Sequence, residues 1–177
     1  FLACGIYRPH LPWYVPQKYF DLFKEDEIVL PKVLEDDLKD IPPAGVRIAR
    51  PQGDHAKVKR YNQWKKAVHG YLASIAFADE QVGRVVDALE KSHHAENTII
   101  VLWTDHGWHL GEKEHWRKFT LWEDAARTPL MFVVPKGLAK ALPKGTRAGN
   151  RVDTPVGLID IYPTLVELCG LKKNKAL

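Results

Sequence analysis

Residues 98–103 read Thr-Ile-Ile-Val-Leu-Trp, an apolar, β-branched run with no charge and no polar alternation. Such a run suits a strand covered on both faces, as in the sheet of an α/β protein. It stops abruptly at Thr104-Asp105-His106-Gly107. In open α/β sheets, ligand sites lie beyond the carboxyl ends of the strands. Asp105 offers a hard oxygen there and His106 an imidazole nitrogen, which makes the pair candidate metal ligands. Gly107 lets the backbone turn sharply after them. Taken alone, the tripeptide also suits an ordinary turn in which Asp caps the next residues.

The segments around this strand fit the same class. Residues 56–92 are predicted as one amphipathic helix, because Trp64, Val68, Tyr71, Leu72 and Ile75 recur at steps of three and four. Asp54 is its expected N-cap. The polar run 92–97 ends it, leaving His93 and His94 as exposed helix-end residues. A helix feeding a buried strand suggests a βαβ arrangement. Leu130-Met131-Phe132-Val133-Val134 reads as a second buried strand, and Phe1-Leu2-Ala3-Cys4 as one already under way. Residues 5–13 form a loop stiffened by Pro9 and Pro12. Residues 17–55 read as a long, mostly irregular excursion with one or two helical turns near its start. Residues 136–150, rich in Lys, Gly and Pro, read as a surface excursion. A short helix is expected at 163–169, with Pro163 in its first turn and Gly170 at its end. The predicted class is α/β, with a mainly parallel or mixed sheet sandwiched by helices.

Composition narrows function less than pattern does. The chain of 177 residues is 45% hydrophobic and 27% charged, which is globular rather than disordered. Its formal net charge of +4 suits anionic substrates without demanding them. Lys57, Lys59, Arg60, Lys65 and Lys66 are the densest basic cluster. They read as a solvated helix face rather than a nucleic-acid surface. Cys4 and Cys169 match no metal spacing, and their apolar neighbours predict buried free thiols. No signal peptide or membrane span is visible, and the chain does not begin with Met. It reads as part of a longer protein.

Several further stretches appear in a telling order. Arg8-Pro9-His10-Leu11-Pro12 opens the chain, and Trp116-Arg117-Lys118 follows the Asp-His-Gly turn. Glu123-Asp124-Ala125 then precedes Pro129, and Ile159-Asp160-Ile161-Tyr162-Pro163-Thr164-Leu165 comes late. Together they resemble the sulfatase family of the alkaline-phosphatase superfamily, nearest to iduronate-2-sulfatase and choline-sulfatase relatives. The resemblance covers nearly the whole chain and is weakest over 17–55. It implies that residues 1–177 are the C-terminal part of a catalytic domain.

The resemblance also implies roles. Asp105 and His106 match two ligands of a divalent cation, usually calcium, with manganese or zinc also compatible with an imidazole ligand. Lys118 matches the lysine that contacts the sulfate group. His10 matches the histidine that binds sulfate or assists the leaving oxygen. Arg8 lies in the same loop as a candidate substrate contact, and His109 and His115 are read as supporting residues. The expected partner is a sulfated small molecule or glycan. Family members attack with a formylglycine made within Cys/Ser-x-Pro-x-Arg. Neither Cys4, Cys169 nor any serine here fits that motif. The nucleophile is therefore expected in an N-terminal half, and these residues alone are expected to be inactive. A phosphodiesterase or phosphonate monoester hydrolase of the same superfamily, or a non-catalytic remnant, are the alternatives.

Overall fold

The expected long helix is two helices. The computed structural model describes residues 1–173. In it, α3 spans Asp54–Arg60 and α4 spans Trp64–Glu90. Between them Asn62 takes a left-handed conformation (φ 50°), which asparagine tolerates better than most residues. The Gln63 amide bonds back to the Val58 carbonyl at 2.9 Å, closing the break. Gly53, not Asp54, occupies the N-cap. The Asp54 carboxylate instead meets Arg117 Nε at 2.7 Å. Two short helices precede this pair, α1 at Gln17–Phe20 and α2 at Pro43–Ala49. The basic cluster at 57–66 is exposed, as a solvated face requires.

Four strands form two small sheets. β1 (Ile100–Trp103) pairs with β4 (Leu130–Val133), and β2 (His109–Leu110) pairs with β3 (Trp116–Arg117). Both ladders are antiparallel, with Ile100 opposite Val133 and His109 opposite Arg117. The expected parallel pairing is therefore absent among the described residues, although the helix-into-strand order of α4 and β1 holds. Residues 1–4 are exposed and form no ladder. Leu102 and Trp103 are 38% and 48% exposed, so β1 is not covered on both faces here. With only two strands in this sheet among the described residues, no further strand flanks the pair and its side chains stay partly open to solvent. Cys4 and Cys169 are likewise exposed rather than buried.

The core is built from other elements. Ile28 from the excursion, Val68 from α4 and Trp116 from β3 form its buried centre, with Trp13, Trp64, Leu72 and Leu110 packed around them. Tyr19 of α1 is buried edge-on against Phe77 of α4, with ring centres 5.4 Å apart. The excursion is thus part of the core and not merely a surface loop.

A short helix, α5 (Glu123–Ala126), precedes β4. The C-terminal helix, α6 (Ile161–Leu168), ends as its sequence predicts. Gly170 adopts φ 62°, its amide bonds Glu167 O at 3.1 Å, and the Leu171 amide bonds Val166 O at 2.9 Å. That pair of bonds satisfies carbonyls the helix would otherwise leave open. No helix among the described residues is long and apolar enough to cross a membrane.

Candidate active site

The Asp-His-Gly turn is held by its backbone. The Gly107 amide donates to Ala125 O at 2.8 Å, and the Trp108 amide to Asp124 O at 2.7 Å. This approach is so close that a Cβ at position 107 would overlap the Asp124 carbonyl oxygen. Glycine is thus required for docking the turn onto α5. The docking is made by main chain rather than by the side chains of the turn.

His106 Nδ1 lies 2.8 Å from the Gly107 carbonyl. A carbonyl can only accept, so Nδ1 carries the proton and the Nε2 lone pair is open. Nε2 stands 3.7 Å from Asp105 Oδ2, and the Asp105 side chain is 74% exposed. Metal–ligand bonds to nitrogen and oxygen run about 2.0–2.6 Å, so two donors at this spacing can meet one cation. A carbonyl bond that fixes the ring is also the usual support of a metal-bound histidine. The donor set fits a cation as half a site. No group of three or more His, Cys, Asp or Glu side chains among the described residues could hold an ion.

Trp108 joins this turn to the proline loop. The His106 and His10 rings lie 6.2 and 5.3 Å from it, and Tyr71 of α4 stacks on it at 6.0 Å. His10 Nδ1 is 2.7 Å from the Leu11 carbonyl and 2.8 Å from the Tyr7 hydroxyl, whose own proton goes to Leu11 O at 3.0 Å. Nδ1 therefore donates, and Nε2 is the atom left for a substrate. Arg8 donates to His10 O at 3.2 Å and to Tyr14 O at 3.0 Å, while Trp13 Nε1 donates to Pro9 O at 2.9 Å. These bonds brace the loop that carries His10. Trp108 Nε1 is buried and has no partner among the described residues.

Lys118 sits on a strap, residues 111–119, that the excursion holds by side chains. Lys113 pairs with Asp37 at 2.5 Å, and Arg117 pairs with Asp54. His115 bonds the Ala49 carbonyl at 2.7 Å, and Trp116 Nε1 donates to His55 Nδ1 at 3.3 Å. Trp64 Nε1 of α4 donates to Leu110 O at 2.7 Å. The strap needs such support, since Lys113, Glu114, Arg117 and Phe119 all have positive φ, from 50° to 75°. Each such non-glycine residue costs about 1–3 kcal/mol and persists only where its surroundings enforce it. The Lys118 side chain is half-buried, with its ammonium 5.7 Å from the centre of the Phe119 ring.

Two buried histidines near the strap are held neutral. Burial, then the charge on His115, lowers the pKa of His109, with Asp124 and a backbone bond opposing. His109 Nε2 meets Thr120 Oγ1 at 2.7 Å, while its Nδ1 is unpartnered and 3.9 Å from Asp124 Oδ2. Burial, then Lys59, lowers the pKa of His55, with Glu114 opposing.

The structure thus brings His106 and His10 against Trp108, with Asp105 beside His106. It links Lys118 to them only through intermediaries, the His115 and His109 rings lying 5.1 Å apart. Among the described residues no hydrogen bond, ion pair or ring contact joins Lys118 to Asp105, His106 or His10. Two hollows are lined elsewhere, one by Leu89 and Pro135 among others, the second by Phe132 and Ile161 among others. Sequence reasoning missed Trp108 as a hub, because an aromatic residue after a turn reads as ordinary core. It also missed Asp37 and Ala49, whose connection to the strap leaves no local pattern.

Comparison with known proteins defines the class first. The fold matches that of the phosphonate monoester hydrolase SpPMH from Silicibacter pomeroyi with a TM-score of 0.74 and 26% identity, over 93% of this chain and 33% of that one. It is the incomplete α/β fold of alkaline-phosphatase-superfamily hydrolases. The sulfatase family model matches residues 1–171, and the chain belongs to the sulfatase family. A sulfatase from Formosa agariphila is 48% identical over 97% of this chain, and the iduronate 2-sulfatase of Mus musculus is 31% identical over 97%. The chain spans 32% and 36% of their respective lengths, about a third of each.

Proposed function

We propose that these residues are the C-terminal part of a catalytic domain that hydrolyses sulfate monoesters on a small molecule or glycan. Cleaving such an ester splits a sulfur–oxygen bond, releasing sulfate and an alcohol with water as the second reactant. Charge grows on the sulfuryl oxygens and on the departing oxygen, and fixed positive groups aimed at those atoms lower the barrier. The Lys118 ammonium serves the sulfuryl oxygens. His10, protonated at Nε2, donates to a sulfuryl or departing oxygen, with Nδ1 anchored on Leu11 O. Arg8 keeps His10 in place through the carbonyls of His10 and Tyr14. Asp105 and His106 would hold a divalent cation, calcium by family likeness, which would supply positive charge toward the sulfate. The attacking group, a formylglycine by that likeness, lies outside these residues.

The observation that carries this reading is the shared indole. Trp108 packs against both His10 and His106, which lie far apart in the sequence. A candidate acid and a candidate metal ligand therefore share one wall. The full-length protein, assayed on 4-nitrophenyl sulfate and on an aryl phosphonate, tests it. The sulfate ester should be the faster substrate, and Lys118→Met should lower kcat by about 10²–10³-fold. A dominant phosphonate rate would reject sulfate specificity in favour of the second reading, which the fold match to a phosphonate monoester hydrolase favours.

A further inference from the structure

His115 is buried, and both of its ring nitrogens face carbonyl oxygens. Nδ1 is 2.7 Å from Ala49 O and Nε2 is 2.6 Å from Lys118 O. A neutral imidazole has one N–H, so one of these contacts would set a lone pair against a carbonyl oxygen. Only the doubly protonated ring donates to both. The partners favour that form. Ala49 is the last residue of α2, has no exposed surface, and its carbonyl has no N–H donor within the helix. The carboxyl end of a helix also favours a cation. The neighbouring ring, His109, is 5.1 Å away and neutral, with its Nε2 on the Thr120 hydroxyl. Two imidazolium ions at that distance in a buried site would repel each other, and burial together with the charge on His115 pushes the His109 pKa down.

We propose that His115 is a positioning residue for Lys118: as an imidazolium it ties the Lys118 carbonyl to the Ala49 carbonyl and thereby sets where the Lys118 ammonium sits. The tie acts at the point of greatest need. Arg117 and Phe119, on either side of Lys118, both have left-handed backbones (φ 75° and 70°). Without an outside restraint these two residues would relax and carry the lysine with them. The bond also makes α2, a helix of the excursion, part of the reaction machinery. This inference rests on the reading of Lys118 as the sulfate-contacting residue.

The full-length enzyme tests it in two ways. Neutron diffraction from perdeuterated wild-type crystals should show deuterium on both Nδ1 and Nε2 of His115. A single deuteron overturns the clamp, and this measurement does not depend on any variant folding. Kinetics on 4-nitrophenyl sulfate then compares His115→Gln in the wild-type and Lys118→Met backgrounds. His115→Gln should lower kcat about tenfold or more with KM within about twofold, since small misplacements of a catalytic group are costly. In the Lys118→Met background it should lower kcat no further, the non-additivity expected of residues acting as one unit. An equal loss in both backgrounds marks a merely structural role and overturns the proposal. Should Lys118→Met itself leave kcat unchanged, the reading of Lys118 fails and the clamp fails with it. An inactive Lys118→Met beside a His115→Gln of normal kcat removes only the clamp.

Discussion

The turn at 104–108 and the strap at 111–119 both carry candidate catalytic groups, yet they are held by opposite means. The turn is docked by main-chain bonds from Gly107 and Trp108 to α5, which leaves the Asp105 carboxylate exposed and Nε2 of His106 open. The strap is held by side chains, through Asp37, Ala49, Asp54 and His55 of the excursion and its following helix. Main-chain docking needs only the absence of a Cβ at one position. Side-chain tethering needs several partners, and in return it enforces a backbone that no local preference would choose. The first arrangement suits ligands that must reach a cation. The second suits a lysine that must be placed to a fraction of an ångström.

If this contrast is right, the turn should be vulnerable at a single residue. In the full-length protein, Gly107→Ala should cost about 3 kcal/mol or more, because the new methyl meets main chain that cannot swing aside. Denaturant melts and metal content should fall together; a stable variant with normal metal content would break the picture of main-chain docking. The strap should instead fail by degrees. Asp37→Ala leaves the half-buried Lys113 without its partner and should cost about 1–2 kcal/mol, with a several-fold loss of kcat and unchanged metal content. A loss of metal would show that strap and turn are not separately held. Trp64→Phe leaves a smaller aromatic ring and removes the bond to Leu110 O, and should cost about 1–2 kcal/mol by the same melts.

The smallest effect is one of pH. His55 and His109 both have lowered pKa values, so the folded protein keeps them neutral where the unfolded chain would not. Below about pH 6.5 the unfolded state binds more protons, and stability falls with pH from that value down to the lowered folded ones. Thermal melting at pH 7.5 and 5.5 should show the lower Tm at pH 5.5, and His109→Gln should reduce the difference. An equal difference in the variant would remove His109 from the account.

Much of the turn was legible in advance. An apolar run that ends in Asp-His-Gly announces both a strand exit and a pair of donors, and each is a matter of neighbouring residues. The close of α6 at Gly170 was legible for the same reason. The strap was not. Its tethers join residues 61 to 76 positions apart, and no periodicity reports a contact across that distance. Lys113, Glu114, Arg117 and Phe119 also give no warning of a left-handed backbone, because nothing in those side chains favours it. The long helix misled in a similar way: its apolar stripe runs on across 61–63, while the backbone breaks there at Asn62.

What the amino-acid order determined by itself is the chemistry on offer: a carboxylate beside an imidazole, a lysine on a Trp-Arg-Lys strap, and a histidine caged by prolines. It also determined that a helix leads into the strand ending at Trp103 and that α6 closes at Gly170, since both depend on residues near one another in the chain. The packed chain decided the rest. It set the antiparallel pairing of β1 with β4, the indole that gathers His10 and His106, and the two carbonyls that face His115. Each of these is a meeting of distant segments, settled by which surfaces can be buried together and which buried polar atoms then find a partner.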